Sequence, residues 1–276
     1  MNPSMQFLQL QADDWQRCFE DSLQFLRESW AHDWMGLPAV LQASCDFLQL
    51  REDDLSPAAA SMLAAAMEVA SDCELRCQHR SQADEPKYHN RLHTADVIAV
   101  LALQLAIETK LSGLNEPDWL AAGLLAAVAH DFMHSGGVNA SESQIEKLSC
   151  VFMRPVLSKH AVPETWVQRV DTAIIRSDFA LAPQNHQAVQ GQTFQWNQAW
   201  LNVLLNEADV LPSSSANFGP SLSEALAREW MFIGDERYKT VATPEGRQAF
   251  LRSLIFSSLS AHVLQSTQTW RAQLNG

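Results

Sequence analysis

Residues 116–134 read Glu116-Pro117-Asp118-Trp119-Leu120-Ala121-Ala122-Gly123-Leu124-Leu125-Ala126-Ala127-Val128-Ala129-His130-Asp131-Phe132-Met133-His134. No polar side chain interrupts Leu120 to Ala129, and the run is rich in Ala and Leu, both strong helix formers. Asn115 can cap the first turn, Pro117 suits a position early in a helix, and Gly136 and Gly137 can stop it. The pattern predicts a buried helix from Glu116 to His134. It ends in three ionisable groups, His130, Asp131 and His134. Burying these is costly unless partners or a metal compensate them.

Helical periodicity extends in both directions, and no alternating strand pattern lasts more than a few residues. The expected fold class is all-α, a single compact multi-helix domain over 1–276. Residues 57–276 form the core, and about 1–55 an N-terminal helical extension. Before the opening stretch, helices are expected over about Trp15–Trp30, Val40–Leu50, Pro57–His79 and Asn90–Leu111, with a polar loop from Ser81 to Lys87. After it, they are expected over about Ser141–Ser158, Pro163–Arg176, Asn197–Val210, Ser221–Gly234 and Pro244–Trp270. Pro183 to Thr193, rich in Gln and Asn, reads as a loop.

The formal net charge of −13 argues against a protein that coats nucleic acid, since no cluster of Lys and Arg is present to neutralise phosphates. An anionic substrate would need positive charge from another source, such as bound divalent ions. Five scattered cysteines, Cys18, Cys45, Cys73, Cys77 and Cys150, do not form a disulfide framework. Cys73, Cys77 and His79 do not have the spacing of a zinc finger or ribbon. The N-terminus lacks a signal-peptide pattern, and the run Leu120 to Ala129 is too short to span a bilayer. The expectation is a cytoplasmic protein without a membrane or nucleic-acid partner, with 1–55 as a candidate homodimer surface.

Three segments concentrate the chemistry. Tyr88-His89-Asn90-Arg91-Leu92-His93 opens a helix, and His89 and His93, four apart, can share a face of its first turn. The second segment is His130-Asp131 with His134. The third, Asn206-Glu207-Ala208-Asp209, follows an apolar run. Imidazole with carboxylate suits zinc, manganese or iron(II), and a carboxylate can bridge to a harder ion such as magnesium. Any one His-Asp pair is weak evidence: His32-Asp33 also follows an alanine, lacks flanking partners and reads as structural.

Taken together, these segments resemble the class I cyclic nucleotide phosphodiesterases among the HD phosphohydrolases. His89-Asn90-Arg91-Leu92-His93-Thr94-Ala95-Asp96-Val97 looks like the first signature of that family. His130-Asp131, His134, Gly136 and Asn139 look like the second. Glu142-Ser143-Gln144-Ile145-Glu146, Ser177-Asp178, Ala208-Asp209 and Gly234-Asp235-Glu236 extend the likeness towards the C-terminus. The resemblance implies that His93, His130, Asp131 and Asp209 bind the first metal, zinc, iron or manganese. Asp131 would bridge to a second, magnesium or manganese. It implies His89 as general acid, with His134, Glu142 and Ser177 holding water around the second metal. Tyr88, Asn139, Gln248 and Phe250 would contact substrate.

The chain departs from the family in three places. Asn139 is followed almost at once by Glu142, Pro212 stands where the family commonly has Asn, and Gln248 and Phe250 are two apart rather than three. The implied reaction is hydrolysis of cAMP or cGMP to the nucleoside 5′-monophosphate. A hydroxide bridging the two metals would attack phosphorus, while His89 protonates the leaving 3′ oxygen. An acid such as Glu207 would support His89. Two alternatives stay open: an HD-type phosphohydrolase acting on another nucleotide or phosphoester, and an inactive cyclic-nucleotide-binding module.

Overall fold

A computed structural model of the protein describes residues 14–77 and 85–265. His79, most of the Ser81 to Lys87 loop and the chain beyond Gln265 lie outside these residues. Among the described residues are thirteen α-helices and no strand. They are α1 (Trp15–His32), α2 (Leu37–Phe47), α3 (Pro57–Cys77), α4 (Arg91–Ser112), α5 (Pro117–Ala129), α6 (Gln144–Lys159), α7 (Glu164–Arg176), α8 (Ala182–Val189), α9 (Gln198–Ser214), α10 (Gly219–Ile233), α11 (Tyr238–Val241), α12 (Pro244–Ser253) and α13 (Leu259–Leu264).

The centre of the molecule is α4, which is apolar around nearly its whole circumference and packs on α1, α2, α5, α9 and α13. It is long and apolar enough to cross a bilayer, but 83% of that stretch is buried against the protein's own helices. Asn90 caps its N-terminus by accepting from the His93 amide (3.1 Å), and Gly113 closes the other end in the left-handed conformation. Around it, α5 lies against α3, α4 and α7, and α9 lies against α4, α7 and α8.

The first helices belong to this same core. Leu23 and Leu26 of α1 and Leu37 and Leu41 of α2 are fully buried in the cluster that contains α4 and α5. Asp96, fully buried on α4, takes a two-pronged pairing from Arg27 of α1, with both N–H···O distances at 2.9 Å. Arg27→Met would strand a buried carboxylate, at a cost of about 3–5 kcal/mol. A melting curve should show Tm falling on the order of 10 °C, whereas an unchanged Tm would mean that this pair does not secure α1.

Several expected boundaries are corrected. The stretch 183–193 is mostly helix α8, opened by Pro183 in its first turn. Its inward side chains include Asn185 and His186, which are polar yet satisfied. Asn185 donates to the Arg176 carbonyl (2.8 Å), and His186 Nδ1 lies 2.8 Å from Ser257 Oγ. The helix expected over 116–134 ends at Ala129, and its N-cap is Glu116 rather than Asn115. The helix expected over 244–270 breaks at 254–258. There Glu207 accepts the amides of Ser257 and Ser258 (2.6 and 3.0 Å), and Ser258 caps α13.

Candidate active site

Three structural junctions converge at one end of α4. His93 sits in its first turn and Asp209 lies on α9, which packs against α4. His130 and Asp131 lie where the chain leaves α5. Within a continued helix, adjacent side chains would diverge by about 100°. Instead the chain turns, with the Phe132 amide on Ala129 O (3.1 Å) and the His134 amide on Asp131 O (2.9 Å). This exit lets His130, Asp131 and His134 line one cleft of about 490 Å³.

Within it, Asp131 Oδ2 lies 3.3 Å from His93 Nε2 and 3.2 Å from His130 Nε2, and Asp209 Oδ1 lies 3.0 Å from His93 Nε2. Neither ring nitrogen makes a hydrogen bond, although both are buried. His130 Nδ1 is 2.7 Å from the Ala127 carbonyl, which can only accept. In the neutral ring the proton therefore sits on Nδ1 and Nε2 presents a lone pair. Burial opposes charge on His93, but Asp131 and Asp209 outweigh it and raise its pKa to about 10. Two unpartnered imidazole nitrogens facing two carboxylates are a donor set that fits a divalent cation. Ligand atoms of His93, His130 and Asp209 all lie within 4.8 Å of one another.

His89 stands beside this set, with its ring stacked on His134 at 3.6 Å and 5.7 Å from the His93 ring. Its anchor is Glu229 of α10 rather than Glu207. Glu229 pairs with His89 Nδ1 through one oxygen and accepts the Tyr88 and His89 amides (2.8 and 3.0 Å) through the other. Burial pushes the Glu229 carboxyl up, but His89 and these amides bring it below the ordinary value. Glu207 is fully buried elsewhere, against Gln104, Ser257 and Ser258.

Gly136 fits here for two reasons. Its φ is +80°, and a side chain would come within 3.1 Å of Glu229 and 3.3 Å of Pro86. The His134 ring accepts the Gly136 amide at Nδ1 (3.1 Å), and burial followed by the charge of His89 lowers its pKa to about 4. His89, His134 and Glu229 also lie close enough to hold an ion. Glu229 already takes His89 Nδ1 and the Gly136 amide takes His134 Nδ1, so only the Nε2 atoms of the two rings remain.

Glu142 and Ser177 lie on the cleft wall, and Ser177 Oγ donates to the Ile174 carbonyl (2.8 Å). Asn139 is on the wall too, but its amide group is engaged with Glu146, Asp178 and the Ile145 amide. Tyr88 packs its ring on His93 (4.7 Å) and holds Ser213 Oγ through its hydroxyl (2.9 Å). Gln248 pairs with Arg252, and Phe250 lies 6.2 Å from the cleft residue Phe179; neither Gln248 nor Phe250 lines the cleft. His32 and Asp33 are exposed at the end of α1.

Glu229 is not among the residues expected from the sequence. Its signal was a glutamate three residues beyond Leu226 and seven beyond Leu222, on the apolar stripe of α10.

No protein-family model and no curated protein matches this chain. Solved structures do. LmjPDEB1, solved in complex with IBMX, superposes with a TM-score of 0.66 at 15% identity, over 99% of this chain and 95% of the other. The phosphodiesterase domain of the RhoPDE fusion protein from the choanoflagellate Salpingoeca rosetta gives 0.55 at 15% identity, over 99% and 87%. Over its described residues the chain has the all-helical fold of these phosphodiesterase domains.

Proposed function

We propose that this protein is a metal-dependent phosphodiesterase that opens 3′,5′-cyclic nucleotides to nucleoside 5′-monophosphates. The observation that carries the reading is the pairing of an orphaned imidazole–carboxylate set with a carboxylate-anchored histidine in one cleft. His93, His130, Asp131 and Asp209 would hold one divalent ion, and Asp131 would also face a second, with His134, Glu142 and Ser177 around it. When bound, such ions neutralise phosphate charge and lower the pKa of water, which a chain of net charge −13 has few other means to do.

The remaining work falls to the protein's own side chains. Glu229 occupies His89 Nδ1 and fixes the ring, leaving Nε2 as the atom able to donate to the departing 3′ oxygen. Stacking on His134 and the grip of Glu229 on two consecutive amides restrict the ring further. The similarity in fold to phosphodiesterase domains supports the same reaction class.

Purified protein supplied with manganese, magnesium, zinc or iron(II) should convert cAMP or cGMP to the 5′-monophosphate, and a chelator should stop it. Product is read by chromatography. Absence of turnover with every metal, alongside hydrolysis of a nucleoside monophosphate or a simple phosphomonoester, would replace this reading with a phosphohydrolase of another specificity.

A further inference from the structure

The cleft wall carries one further pair of side chains that the metal set and His89 do not use. Trp230 follows Glu229 on α10, and Arg237 lies just beyond the end of that helix. Arg237 is the one Arg or Lys lining the cleft among the described residues. Its guanidinium lies over the Trp230 ring at 4.5 Å. Asp235 holds the edge of the fork, accepting from Nε (3.0 Å) and Nη2 (2.7 Å), and also accepts the Arg237 amide (2.9 Å).

The turn that joins these residues is fixed as well. Gly234 takes the left-handed conformation at φ +75°, and the Asp235 amide donates back to the Trp230 carbonyl (2.9 Å). The result is a guanidinium held over an indole, with its charge balanced by Asp235. Such a pair offers a flat face in place of a free cation for a second phosphate. Bases stack on aromatic rings and on guanidinium planes alike, and every base has such a face.

We propose that Trp230 and Arg237 form the platform on which the nucleobase of the substrate stacks, and that this mode of recognition lets the enzyme accept adenine and guanine cyclic nucleotides alike. The inference rests on the proposed function. It moves base recognition from α12, where Gln248 pairs with Arg252 and neither Gln248 nor Phe250 lines the cleft, to the end of α10 beside the anchor of His89.

The test compares kcat and KM for cAMP and cGMP, with metal content measured in parallel. Wild-type kcat/KM for the two should agree within about fivefold. Trp230→Leu should raise both KM values by about tenfold, the scale of one lost base stack, with metal retained. Trp230→Phe should restore most of the loss, and Arg237→Gln should raise both KM values by a smaller factor. KM values within twofold of wild type in Trp230→Leu would overturn the platform. So would a change in cAMP-to-cGMP preference of more than tenfold, or a loss of metal shared by the Leu and Phe variants. A wild type inert towards both nucleotides would overturn the proposed function itself, and the platform with it.

Discussion

Asp131→Ala should abolish both metal binding and turnover while leaving the helical fold intact. Asp131 Oδ2 is the atom that faces His93 Nε2 and His130 Nε2 together, at 3.3 and 3.2 Å. Removing it leaves two buried imidazoles sharing only Asp209, 3.0 Å from His93. Turnover should fall on the order of 10³-fold or more, the scale of losing a preorganised electrostatic contact at the reacting centre. Because Asp131 sits in the turn after α5 rather than within the packed helix, far-UV circular dichroism should be unaltered. Elemental analysis reads the metal, and full occupancy in the variant would rule out Asp131 as a shared ligand.

His89→Ala should behave differently, retaining metal while kcat drops about 10²–10⁴-fold, the usual range for a lost general acid. Glu229→Gln keeps the shape of the anchor but removes its charge, and a partner that orients a functional histidine is worth about 10–100-fold. Both losses should appear in kcat, with metal content at wild-type level. Unchanged turnover in His89→Ala would remove it from proton transfer. A Glu229→Gln enzyme as active as wild type would mean that the carboxylate only fills space.

The candidate centre is legible in the sequence where ionisable groups interrupt apolar helices. His130 and Asp131 end the most apolar helix, and Asp209 follows Trp200 to Leu205 on α9, so each breaks a pattern that solvent does not explain. His32-Asp33 breaks no such pattern and is exposed. Glu229 was harder to see because a single glutamate on an amphipathic stripe looks like noise until its partner is known. Helix α8 is hidden in the sequence for the opposite reason: its buried face contains Asn185 and His186, whose partners come from α7 and the segment before α13. The Arg27–Asp96 pair joins residues 69 apart, a distance over which local periodicity carries no information.

The anchoring of Tyr88 and His89 by Glu229 spans 141 and 140 positions of the chain. This sets an order of completion during synthesis. Every candidate metal ligand has emerged once α9 is made, whereas Glu229, the carboxylate partner of His89, arrives only with α10. A nascent or truncated chain ending at Ser214 would therefore carry every candidate ligand while His89 lacked its carboxylate partner. The candidate ligand set is thus encoded in the first 214 residues, and the carboxylate that holds His89 in the segment that follows.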